Sequence, residues 1–191
     1  MNDGKSAPNS VAVYDEPDHE ALFSNDYVYA YRVMLAPGQE TLWHRHTEDT
    51  VYVSFGAATG QEHIDDGNVV ITDIPCGAAV SRPHRQSPLV HQVTNIGERH
   101  FHLIGAESLR RASKPHAAAI KSDVLKLALE TERFRTYRFD NDGKTPLAVE
   151  RMGLLMLLGA GSPTRSEVIW NACGETTTVT EKCRGFYAEW R

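Results

Sequence analysis

Residues 38–56 read Gly38-Gln-Glu-Thr-Leu-Trp-His44-Arg-His46-Thr-Glu-Asp-Thr50-Val-Tyr-Val-Ser-Phe-Gly56 and place two histidines one residue apart in a run of strand character. Side chains at i and i+2 of a strand point to one face, so His44 and His46 can chelate a single metal ion. Two ligands make a weak site, and a third imidazole is required. His91, in Val90-His91-Gln92-Val93-Thr94-Asn95, is the best placed, and His84 in the segment before it can substitute.

The same alternation sorts the next strand. With Thr50 facing inward, Tyr52 and Ser54 face inward too, while Val51, Val53 and Phe55 face the opposite way. The lumen beside the metal is then lined partly by hydroxyls, which suits a small polar ligand better than a fatty one. Trp43 and Arg45 point away from the metal. Glu48 and Asp49 read as turn residues, either of which can in principle supply a carboxylate ligand.

Working outward, period-two runs rich in strand formers recur at Tyr27–Met34, Thr41–His46, Thr50–Phe55, Asn68–Thr72, Leu89–Asn95 and His100–Ile104. Turn signals such as Ala36-Pro37-Gly38, Gly56–Gly60 and Asp65-Asp66-Gly67 separate them, the pattern of an antiparallel barrel or sandwich. A helix is predicted over Pro115–Glu130, with an apolar stripe of Ile120, Val124, Leu127 and Ala128 and Ser113 as N-cap. Beyond it the chain echoes itself. Phe134–Phe139 resembles Tyr29–Val33, Gly153–Gly159 resembles Val51–Gly56, and Gly185–Trp190 resembles Phe101–Glu107, yet no histidine follows His116. The expected organisation is a disordered N-terminus (1–10), a metal-binding barrel (11–112), a connecting helix (113–131) and a degenerate second half (132–191).

The spacing of the organising stretch resembles the first motif of the cupin family, G-x5-H-x-H-x3/4-E-x6-G, from Gly38 through His44 and His46 to Gly56. Pro75-Cys76-Gly77 and His91-x3-Asn95 resemble the second motif. The likeness spans residues 27–107. It departs from the family where the motif glutamate should stand, at Thr50 or Val51, and in the long interval between Gly77 and His91. The resemblance implies an all-β, cupin-type antiparallel jelly-roll barrel in which His44, His46 and His91 hold a divalent metal ion, Fe(II) first, with Zn, Mn or Ni as alternatives. It also implies a homodimer, for which Val51, Val53, Phe55 and Leu154–Leu158 can supply contact faces.

Three neutral imidazoles leave the full charge of the ion to be offset by water or substrate, which favours anionic or enolisable chelating substrates. Arg82 and Arg85 are placed to guide such an anion at the barrel mouth. Thr50 and Tyr52 are the candidate catalytic residues and Ser54 a candidate substrate contact. Three-histidine cupins, as the resemblance implies, include ferrous dioxygenases. The first expectation is therefore a dioxygenase acting on a small acidic or dicarbonyl substrate; zinc in the same site favours hydrolysis or isomerisation instead. The second is a non-catalytic cupin that binds a small molecule or sugar beside a vestigial metal site.

Composition narrows the field. The chain of 191 residues carries 20 basic and 25 acidic residues, a formal charge of -5, and no basic block, which argues against a nucleic-acid partner. Three widely spaced cysteines, no signal-like segment and no long apolar run predict a cytoplasmic protein without a membrane anchor.

Overall fold

The computed structural model describes residues 9–159 and 166–191, so the expectation of disorder at the N-terminus falls, for residues 1–8, outside the described residues. The first half contributes β1 (Val11–Ala12), β2 (His19–Ser24), β3 (Val28–Leu35), β4 (His44–His46), β5 (Thr50–Ser54), β6 (Ala58–Ile64), β7 (Val69–Ile74), β8 (Ala79–Arg82), β9 (Leu89–Asn95) and β10 (Phe101–Ser108). They form two five-stranded sheets, ordered β1-β4-β9-β6-β7 and β2-β3-β10-β5-β8, that face each other as a jelly roll. The ligand strand β4 is flanked by β9, with His44 opposite His91, and on its other side by the two-residue parallel strand β1.

The second half supplies β11 (Lys126–Glu130), β12 (Phe134–Asn141), β13 (Leu147–Val149), β14 (Gly153–Gly159), β15 (Ser166–Asn171), β16 (Thr177–Val179) and β17 (Cys183–Trp190). Its large sheet, β11-β12-β17-β14-β15, repeats the order β2-β3-β10-β5-β8 strand for strand, and the pair β13-β16 stands where β4-β9 does. The echoes in the sequence therefore coincide with equivalent strands. Nothing among the described residues corresponds to β6 and β7, so the second half-barrel is degenerate.

Register shows what became of the ligands. β13 and β4 share the buried-exposed-buried pattern, which sets Leu147 and Val149 in the places of His44 and His46. Leu147 pairs with Val179 as His44 pairs with His91. All three second-half residues are buried in an apolar core with Tyr137, Leu155 and Tyr187.

The two large sheets pack face to face. Val51, Val53, Phe55, Ile104 and Ala106 from the first half meet Leu154, Met156, Leu158, Phe186 and Trp190 from the second in one buried cluster. Leu155 and Leu157 point the other way, into the second half's own core. Burial on both faces is why Gly153–Gly159 reads as an unbroken apolar run. The faces expected to contact a second subunit are thus buried inside the chain.

Three local expectations are corrected. No α-helix forms over 115–130. His116, Ala117 and Ala118 give their carbonyls to Arg135 and Arg151, at 2.6 to 2.7 Å, instead of to amides within a helix. Lys126–Glu130 then joins the edge of β12 with a bulge between Leu127 and Leu129, so tertiary pairing overrides a helical pattern. Gly56–Gly60, read as a turn, runs into β6, and the interval before His91 contains β8.

Gly105 has a specific steric duty. It lies opposite Tyr31, whose fully buried ring crosses it so closely that an added Cβ would come within 2.5 Å. Gly105→Ala must displace that ring, and overpacking of this kind costs about 1–3 kcal/mol. The lowered midpoint should be visible in chemical denaturation; an unchanged midpoint would show that the ring is free to move.

Candidate metal centre

The strand period puts His44 and His46 on the lumen face of β4, and the β4–β9 ladder brings His91 alongside. All three rings are buried, and their ligating nitrogens lie within 4.8 Å of one another. Each Nδ1 faces an acceptor: the Leu42 carbonyl for His44 at 2.8 Å, Glu107 for His46 at 3.2 Å and Glu62 for His91 at 2.5 Å. Engaging Nδ1 fixes the tautomer and turns Nε2 inward as the free donor, the arrangement found around metal-bound histidines.

The Nε2 atoms of His44 and His91 are 2.9 Å apart. Two nitrogens each about 2.1 Å from one ion, at right angles, lie about 3.0 Å apart, so the spacing suits a shared ion. Burial holds the conjugate acids of His44, at about 3, and of His46 well below the usual histidine range, which keeps both rings neutral and able to ligate.

Two further imidazoles border the cluster. His84 stacks on His46 with ring centres 5.0 Å apart, and its Nε2 is 3.3 Å from the Tyr52 hydroxyl. His19 meets His44 edge-on at 4.6 Å and stacks on Tyr31. His84 therefore stands beside the set that His91 completes. Sequence reasoning missed His19, which lies outside any motif, and the half-buried Glu62 on β6 and buried Glu107 on β10, carboxylates with no local signature. Glu107 pairs across the ladder with Thr50, so a carboxylate stands one strand away from the position where the motif glutamate is missing.

The rings open onto a cavity of about 180 Å³. Tyr52, Ser54 and Arg82 line it, although the Ser54 hydroxyl is already donated to the Gly56 carbonyl. Thr50 does not line it: its hydroxyl donates to the Glu48 carbonyl at 2.7 Å. Arg85 does not guard the mouth either, being ion-paired with Glu48 and bonded to the Leu109 carbonyl at 3.0 Å. Asp49 binds Arg133 at 2.9 Å and the Arg85 amide at 3.0 Å, so the turn carboxylates serve structure.

A scan against protein-family models and a search of curated proteins return no match. Solved structures do match. The bacterial pirin YhhW from Escherichia coli, in complex with nickel(II), aligns over 90% of both chains with a TM-score of 0.57 and 12% identity. YhaK from the same organism aligns over 92% of both chains, with a TM-score of 0.50 and 11% identity. A cupin domain from Bordetella pertussis is 26% identical over 47% of this chain and 90% of its own, with a TM-score of 0.43. This is a cupin fold.

The cupin lumen is more apolar than the alternation along β5 implies. β3, β7, β9 and β10 also contribute wall, and they bring Val33, Ile74, Val93, Phe101 and Leu103. A preference for a small polar ligand, argued from Tyr52 and Ser54 alone, overlooked that surface.

Buried neutral histidines give the metal-free protein an acid limit. Burial lowers His19 and His44 to about 3 and His84 to about 4, from 6.5, so the unfolded chain binds more protons than the folded one below about 6.5. Their effect is that stability falls as pH drops through that window. Glu107 acts oppositely: burial raises its carboxyl from 4.5 to about 7, so its contribution weakens as pH rises from 4.5 to 7. Glu16, raised by burial as well, acts in the same direction as Glu107, and the several histidines outweigh the two carboxyls. Thermal unfolding of metal-free protein should show a falling midpoint from pH 6.5 to 4, and His84→Gln should blunt the fall; a flat profile contradicts the assignment of neutral rings.

Proposed function

We propose that this chain is a metal-dependent cupin oxygenase in which His44, His46 and His91 hold one divalent ion, Fe(II) foremost, and that its substrate is a small acidic or dicarbonyl compound that chelates. The observation that carries the reading is the convergence of three imidazoles, one nitrogen of each within 4.8 Å of the others, whose Nδ1 partners are all acceptors. That nickel(II) is bound in a pirin of the same fold is in keeping with a divalent ion. Fe(II) held by His44, His46 and His91 would supply Lewis-acid and oxygen chemistry to a chelating substrate.

The chain's own residues do the rest. Glu62 and Glu107 hold the rings of His91 and His46 in orientation and raise the basicity of the opposite nitrogens. Glu62, whose carboxyl is held below its usual range through its bond to His91, also brings negative charge near a site whose direct donors are neutral. The Tyr52 hydroxyl lies between His46 Nδ1 at 3.4 Å and His84 Nε2 at 3.3 Å, and burial raises its pKa so that it remains a proton donor. Arg82, half exposed and 3.7 Å from Glu62, offers an anion a cationic partner at the edge of the lining. Val33, Phe101 and Leu103 keep the inner wall free of competing polar groups.

Elemental analysis of untagged protein prepared with iron kept reduced should find about one equivalent of metal, with His46→Ala removing it. Glu62→Gln should keep the site but weaken affinity about 10- to 100-fold, as loss of a partner of a ligating histidine does elsewhere. Oxygen uptake in the presence of diketones or small acids then tests the reaction. Full metal occupancy in His46→Ala would sink the ligand assignment, and loaded protein that consumes no oxygen with any chelating acid or diketone would sink the oxygenase.

A further inference from the structure

The cavity is polar at one end and apolar at the other. Along the barrel Tyr52 stands beside His46 and His84 at one level, and the next levels toward Phe101 are Val33 and Leu103, paired across β3 and β10 with His19 opposite Val33 on β2, and then Phe101 itself. Ile74 and Val93 complete that end. Apart from Thr41 and Thr72, the polar side chains of the lining, Ser54 included, belong to the imidazole level or stand next to it, and the Ser54 hydroxyl is taken by the Gly56 carbonyl.

The exposed members of the lining, Thr72, Val80 and Arg82, lie on β7 and β8. Each of these is the last strand of its sheet, pairing only with β6 or β5, so the cavity meets solvent between two sheet edges. Val80 sits there with 47% of its surface exposed, opposite Tyr52 in the ladder. An apolar residue at the opening, an apolar wall behind it and a ligand set at the side describe a path for an amphipathic molecule.

We infer that the ligand of this site is a chelator with an apolar body, its polar head on the ion and its hydrocarbon or aryl part against Val33, Ile74, Phe101 and Leu103. The inference rests on the proposed metal site and narrows its substrate class. A compact dianion such as oxalate leaves the apolar wall facing water. A molecule carrying one chelating head and an apolar group removes that wall from water, at about 25 cal/mol per Å² of apolar surface covered.

The test compares two chelators that share a head and differ in body, acetohydroxamate and benzohydroxamate, titrated into protein loaded with cobalt(II), whose absorption reports binding. Benzohydroxamate should bind at least tenfold more tightly. Val80→Glu, a change at an exposed edge position that the fold tolerates, should keep the cobalt and cut the preference below threefold. A wild-type preference under tenfold, or an unchanged preference in Val80→Glu, overturns the inference while leaving the metal site standing. Protein that takes up no cobalt overturns the site and the inference together, and the metal content of each sample tells these failures apart.

Discussion

The sheet β2-β3-β10-β5-β8 has no free face, and that constraint governs the rest of the molecule. One side of it lines the cavity through Tyr31, Tyr52, Leu103 and Ser54; the other is sealed against the second half through Val51, Val53, Phe55 and Ile104. Because neighbouring residues of a strand point to opposite faces, every position on β5 and β10 belongs to one environment or the other, and a slip of one residue would exchange them. The orientation of Tyr52 toward the imidazoles is thus held by the packing of Val51 and Val53 against the far sheet.

The second half provides that far surface and little chemistry of its own. Where the first half keeps His44, His46 and His91 around a cavity, the second sets Leu147, Val149 and Val179 in equivalent positions and fills the space with Tyr137 and Tyr187. Its buried acid, Glu189, corresponds in the ladder to Glu107 but is bound by Arg151 at 2.9 Å and Tyr137 at 3.0 Å. One ancestral-looking layout therefore serves two ends: a hollow interior with polar side chains, and a solid interior that braces it.

How much of this could be read from the residues varied with the range of the interactions. The strands Thr50–Ser54 and Leu89–Asn95, the inward facing of Tyr52 and Ser54 and the His44/His46 pair were legible, because alternation and motif spacing are local. The pairing of His91 with His44 followed from the resemblance. The helix over 115–130 was misread because its apolar stripe is real but the carbonyls were claimed by Arg135 and Arg151 from strands far along the chain. Glu62, Glu107 and His19 escaped for the same reason: each reaches the site across a sheet. Arg85 was misplaced because nearness in sequence to His91 is not nearness to the ion, and Thr50 because its motif position does not reveal that its hydroxyl turns to the Glu48 carbonyl.

Val11 and Ala12 lie along β4, and the Val11 amide donates to the Trp43 carbonyl at 2.9 Å. Glu16 adds a buried carboxylate on the Leu42 amide at 3.0 Å. Without those few residues the strand that carries His44 and His46 would border solvent, presenting an open row of backbone donors and acceptors that any extended peptide can join. The leading segment therefore acts as a selvedge, the finished border that keeps a woven edge from catching on another.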